Sequence, residues 1–274
     1  MATYFFSGVN KPELVRVLEE KGACGMLNAL SAGEPKLREA YLNLYPNVEF
    51  TLDSGAVQGN QNVARYARLL KSIGPRMQWV SSLDRLHDQQ SSQEQYEELQ
   101  RLLADAPIVS QKVLWIYQTQ SRGNHWHPDG DLELLKRAVE RYRFIGLGGL
   151  VSVIERDIMR AQDLLEDIGK ILDAADAQAH AFGIGNFSLL TSCLTRKWFR
   201  SADSARWLQG LRSRTMLARD GTTMSGKKLS FTGLQIAAQN VESMLAWMES
   251  NRHQLYLLPQ SDPPVADEEP VQLR

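Results

Sequence analysis

The stretch KVLWIYQTQSRGNHWHPDGDLELLKRAVERYRFIGLGG, residues 112–149, decides the fold. It opens on an apolar run of strand length, KVLWIYQ (112–118), and closes on another, RFIGLGG (143–149). Between them lies DLELLKRAVERY (131–142), an amphipathic segment of helical character. Two strands joined through a helix lie parallel, because a tight hairpin can only reverse the chain.

The same alternation runs through most of the sequence. Upstream come TYFF (3–6), CGML (24–27), VEFTLD (48–53) and MQWVSSLD (77–84); downstream come AHAFGIG (179–185) and WFRSAD (198–203). Helix-like segments separate them: PELVRVLEEKG, NVARYARLLKSIG, QEQYEELQRLLADA and RDIMRAQDLLEDIGKILDAADA. Eight short strands alternating with helices predict an α/β fold of the closed (β/α)8 barrel type. A doubly wound open sheet is the competing arrangement. The first two strands are the least marked, since CGML is short and NALSAGEPK after it is irregular. A basic loop follows the eighth strand, then a last helix near TGLQIAAQNVESMLAWMESN. The expected organisation is one barrel domain over residues 1–255 and a flexible acidic, proline-rich tail over 256–274, SDPPVADEEPVQLR included.

Composition narrows the function classes. The 274 residues contain no apolar run near the roughly 20 that a membrane helix needs, and MATYFFSGVNKPE lacks the basic start and apolar core of a signal peptide. The expectation is a cytoplasmic protein with no membrane partner. Cys24 and Cys193 are the only cysteines, which excludes a cysteine-built zinc site. A net charge of -1 does not announce nucleic-acid binding, but Arg196, Lys197, Arg200, Arg206, Arg212, Arg214, Arg219, Lys227 and Lys228 stand against only Asp203 and Asp220 in residues 196–228. Such a segment is ordinarily a solvated face. Beside a reactive carboxylate it would hold phosphates.

In a barrel the reacting groups lie at the C-terminal strand ends. Those ends read Asp53, Asp84, Gln118, Gly148–Gly149, Gly183–Gly185 and Asp203. Asp53 and Asp203 each begin an Asp-Ser pair, where an aspartate commonly caps the next helix. Two carboxylates on one rim can instead divide the work of nucleophile and general acid/base. Gln118 ends an apolar strand and needs a partner, either ligand or backbone. The spacing of GLGG is not that of a dinucleotide fingerprint. His125 and His127 form an H-x-H pair without the further ligands of a metal hydrolase, so no metal is expected.

Several of these segments resemble one family. LDSGAVQ (52–58) resembles the DSGGFQ-type motif of the tRNA-guanine transglycosylase superfamily, a (β/α)8 barrel family. LWIYQ looks like its strand ending in a base-recognising glutamine, IGLGGLV like its Gly-Gly-Leu backbone-recognition loop, and HAFGIG like its H-x-x-G-I-G strand. HAFGIGN with WFRSADSARWLQG is most similar to the DpdA branch, the 7-deazaguanine DNA transglycosylases. The resemblance covers about residues 50 to 210 and implies a pentosyltransferase, a queuosine-related enzyme that replaces guanine in DNA by a preQ0- or preQ1-like base without a cofactor. It implies Asp203 as nucleophile, Asp53 as acid/base, and Ser54, Asp84, Gln118, Gly148, Gly149 and Leu150 around the base. Arg196, Lys197, Arg200, Arg206, Arg212, Arg214, Lys227 and Lys228 would then grip the nucleic-acid backbone. The partners it implies are DNA, the free 7-deazaguanine, and a second copy or a helper that opens the duplex. Exchange on tRNA is the first alternative and a non-catalytic base-binding companion subunit the second. The tRNA enzymes carry a C-x-C-x-x-C…H zinc site beyond the nucleophile, and no cysteine follows Asp203 here, which favours DNA. AVQ in place of GFQ removes an aromatic contact near the base.

Overall fold

The computed structural model describes residues 2–55, 62–86, 88–119, 128–208, 215–218, 220, 222–225 and 231–254. Eight strands form a closed barrel: β1 Thr3–Val9, β2 Cys24–Asn28, β3 Phe50–Asp53, β4 Val80–Ser81, β5 Val113–Gln118, β6 Phe144–Gly148, β7 Gln178–Ala181 and β8 Phe199–Ser204. Each pairs in parallel with its sequence neighbour, and β8 closes on β1 with Phe5 opposite Asp203. The parallel (β/α)8 barrel is therefore present and the open sheet is not.

Successive strand residues face opposite sides. In β1, Phe5 joins an inner cluster with Met26, Trp79, Leu114 and Ile116, while Tyr4 and Phe6 join the large layer between barrel and helices. In β5, Leu114 and Ile116 point inward and Val113, Trp115 and Tyr117 outward. Burial on both faces is why these strands read as continuous apolar runs. The same parity carries Asn28, Asp53, Gln118, Gly148, His180, Ser201 and Asp203 to the inside, several of them at the strand ends.

The expected helices are Pro12–Glu20, Val63–Ile73, Gln89–Leu102, Pro128–Arg141, Ile158–Ala174 and Gly233–Gln254. The segment read as irregular after β2 contains two short helices, Ala29–Ala32 and Pro35–Glu39, and a π-turn, Ala40–Leu44. Asn28 and Glu34 start the two helices by accepting from Leu30 N and Leu37 N. Part of the expected basic loop is an antiparallel pair, β9 Thr215–Leu217 with β10 Thr223–Ser225, tied to the last helix where Asn240 accepts from Leu217 N. Residues 255–274 lie outside the described residues. No described helix is long and apolar enough to cross a membrane.

Candidate active site

The C-terminal rim opens into a cleft of about 660 Å³. Asp53, Asp84, Gly148, Gly149 and Asp203 all line it, brought from β3, β6, β8 and the segment after β4. Its mouth carries the exposed apolar side chains of Leu30, Leu86 and Val151.

Among the described residues neither aspartate caps a helix. The next described helix after β3 starts at Val63 and is capped by Asn62, which accepts from Arg65 N. The turn after β8 is held by Ser204 Oγ accepting from Arg206 N at 3.0 Å. Both carboxylates are thus left to the cleft. Asn28 Nδ2 donates to Asp53 Oδ2 at 3.1 Å, and the backbone N–H groups of Ser54 and Gly55 also support it. Burial raises the Asp53 pKa to about 7, with the charges of Asp203 and Asp84 acting in the same direction. A group poised there exchanges protons near neutral pH.

Asp203, 6 % exposed, is anchored through one oxygen. Oδ1 lies 3.0 Å from the donating Gly183 N and 3.2 Å from His180 Nε2. The turn that presents Gly183 requires its glycine, with φ at +75°. His180, fully buried, also meets Ser201 Oγ at 2.9 Å through Nδ1. Burial pushes the His180 pKa down against the pull of Asp203.

Asp84 belongs to a separate network. Ser54 Oγ donates to its Oδ1 at 3.1 Å and Gln118 Nε2 to its Oδ2 at 2.6 Å. Burial pushes its pKa up. Ser54 N donates to Ser81 Oγ at 2.7 Å, which ties the β3 and β4 ends together. Gln118 is 3 % exposed and its Oε1 has no hydrogen-bond partner among the described residues, an acceptor beside Gly149. A buried acceptor left unmade costs about 1–3 kcal/mol, so a ligand donor there is favoured.

The Leu150 side chain is fully buried in the layer between barrel and helices, because it begins the helix Leu150–Arg156 facing that layer, which leaves its backbone for the contact expected of the Gly-Gly-Leu loop. Three basic residues lie away from the expected backbone grip. Arg196 and Lys197 precede β8 and lie at the barrel end opposite Asp203. Arg200, near the start of β8, sits over the Phe144 ring with its guanidinium 4.5 Å from the centroid, also at that end. A cluster along the chain is split in space by a strand whose two ends open on opposite faces. Arg206 is on the rim side, donating to Gly185 O and lying over Phe187. Arg212, Arg214, Arg219, Lys227, Lys228, His125 and His127 lie outside the described residues, as do residues 56–61 of the LDSGAVQGN segment. Among the described residues no group of three His, Cys, Asp or Glu is placed to hold a metal ion. His180 was not singled out from the sequence, although its alternation with Ala179 and Ala181 marks it as a buried polar residue facing into the barrel from β7, where Gln178 on the same face is exposed.

No protein-family model and no curated protein matches the chain. Among solved structures it is similar to a Coccidioides immitis protein named as a candidate fructose-1,6-biphosphate aldolase, at 13% identity and TM-score 0.48, over 93% of this chain and 89% of that one. It is also similar to the citrate synthase SbnG, at 10% identity and TM-score 0.47, over 74% and 86%. Likeness at this level has no bearing on the chemistry of the cleft.

Proposed function

We propose that the chain is a base-exchange glycosyltransferase of the tRNA-guanine transglycosylase kind, replacing guanine in DNA by a 7-deazaguanine of preQ0 or preQ1 type. The observation that carries this reading is the division of labour between Asp53 and Asp203 in one cleft. Asp53 ionises near pH 7 and suits proton transfer. Asp203, held among the described residues through Oδ1, offers its other oxygen for attack.

The chemistry balances with these two groups. A nucleotide extruded from its helix enters the cleft, since a stacked base does not present C1′ to a recessed carboxylate. An Asp203 oxygen bonds to C1′ as the bond from C1′ to the guanine nitrogen breaks; the electron pair leaves on guanine, which takes the Asp53 proton. The incoming deazaguanine then gives its ring N–H proton to Asp53, and that nitrogen displaces Asp203 from C1′. Gln118 Oε1, without a hydrogen-bond partner among the described residues, suits an exocyclic amine or ring N–H of the base, and Asp84, oriented by Ser54 and Gln118, lies beside it. DNA is favoured over tRNA because residues 204–274 hold no cysteine for the zinc site of the tRNA enzymes.

Trapping tests the reading. Incubation with guanine-containing single-stranded DNA followed by denaturation is expected to leave a covalent adduct that Asp203→Ala abolishes and added preQ0 or preQ1 discharges. An adduct with tRNA alone would move the substrate to tRNA. Base binding without any adduct would mark a companion subunit, and an undiminished adduct in Asp203→Ala would remove the assigned nucleophile.

A further inference from the structure

Among the described residues the barrel interior holds one buried imidazole that the exchange chemistry does not itself require. His180 packs against the Trp79 and Phe182 rings, with centroids 4.4 Å and 4.5 Å away, and Phe5 lies beyond at 6.2 Å. Its two polar neighbours stand on β8 two residues apart: Ser201 against Nδ1 and Asp203 against Nε2. We propose that His180 is the positioning residue of Asp203: as the neutral Nε2–H tautomer it donates to Oδ1 and, with Gly183 N–H, turns Oδ2 toward C1′.

The tautomer follows from the partners. A carboxylate oxygen only accepts, so Nε2 opposite Asp203 must carry a proton. A serine hydroxyl can donate, so Nδ1 takes the Ser201 hydrogen bond with its lone pair. The aromatic walls disfavour an imidazolium, and burial accordingly depresses His180 ionisation. With Oδ1 held by two donors and no described residue hydrogen-bonding Oδ2, one oxygen is fixed as anchor and the other left to react. The same donors steady the carboxylate that departs when the incoming base takes over C1′. This role rests on Asp203 being the nucleophile, whereas the tautomer does not.

Two measurements keep these apart. Long-range ¹H–¹⁵N correlation on the whole wild-type protein is expected to show His180 neutral and protonated on Nε2 from pH 6 to 8; an Nδ1–H form or an imidazolium overturns the proposal whatever the activity. Single-turnover adduct formation on guanine-containing DNA is expected to slow by roughly 10- to 100-fold in His180→Leu, the scale of a lost hydrogen bond to a charged group. KM should be unchanged, and His180→Gln, whose amide can donate from the Nε2 position, should recover much of the rate. A loss in KM alone, or equal loss in the Leu and Gln variants, would leave His180 a packing residue. Absence of any wild-type adduct would reject the transglycosylase reading while the spectrum still decides the tautomer.

Discussion

Asp53 is the residue whose ionisation says most about the cleft, and its consequence for stability has a definite sign. Its folded pKa of about 7 exceeds the ordinary 3.8. The native state therefore binds the proton more tightly than the unfolded chain, and that contribution is complete below about pH 4 and lost as pH rises through about 7. At roughly 1.4 kcal/mol per pKa unit, the ionised form destabilises the fold by a few kcal/mol. Asp53→Asn never ionises, so it is expected to melt near wild type at pH 4 and increasingly above it by pH 8, at roughly 2–4 °C per kcal/mol. Thermal melts of both proteins from pH 4 to 8 measure this difference, in which the parallel titration of Asp84 largely cancels; a gap constant across the range would mean that Asp53 ionises as an ordinary carboxylate. The site was legible at this scale where a polar residue ends a strand: Asp53, Gln118 and Asp203 each follow an apolar run and each turns inward. Asp53 and Asp203 reach one cleft, and Gln118 binds Asp84 at its wall. His180 was not seen because it lies mid-strand in β7, where the glycines of HAFGIG drew the reading to the backbone. Leu150 shows that a motif names a position and not an orientation: the first residue of a helix sends its side chain to the core while its neighbours line the cleft.

At the scale of elements, the helix Ile158–Ala174 is held to the barrel by a close approach that only glycine permits. A Cβ at Gly169 would stand 2.3 Å from Trp198 Nε1 and 3.0 Å from Cδ1, and Trp198 is a flat, buried ring just ahead of β8. Two effects oppose each other in Gly169→Ala. Alanine favours the helix by about 1 kcal/mol. Overpacking a rigid buried ring costs about 1–3 kcal/mol, and at this separation the upper part of that range applies. The variant should therefore be destabilised by about 1–2 kcal/mol in denaturant melts, and a gain in stability would mean that helix and ring separate freely. Neither partner was identifiable in advance: periodicity marks Gly169 as core-facing but says nothing of which ring it meets. The strands themselves were legible because both faces are buried and the runs are continuous. Their ends were less so. MQWVSSLD reads as one strand to Asp84, yet β4 is only Val80–Ser81, since beyond it the chain leaves β3 to bring Asp84 under Gln118.

Over the whole molecule, charge is arranged against a simple picture of phosphate capture. Asp53, Asp84, Glu155 and Asp203 line the cleft, and no lysine or arginine is among its described lining residues. Such a cavity suits a neutral or cationic base and repels a phosphodiester, so the proposed nucleic-acid substrate would have to be gripped from outside it. Arg196 and Lys197 are on the far end of the barrel, whereas Arg206 is on the rim side. The arrangement predicts that Arg196→Gln with Lys197→Gln leaves both the affinity for single-stranded DNA and its salt dependence as in wild type. Each phosphate contact contributes about 0.7 to the slope of log affinity against log salt for a single strand, so the loss of two contacts is readily measured between about 50 and 200 mM. A slope lower by more than about 1 in the double variant would mean that the strand runs across the barrel's N-terminal face, and the target base would then have to reach the cleft from around the barrel wall rather than from above its mouth.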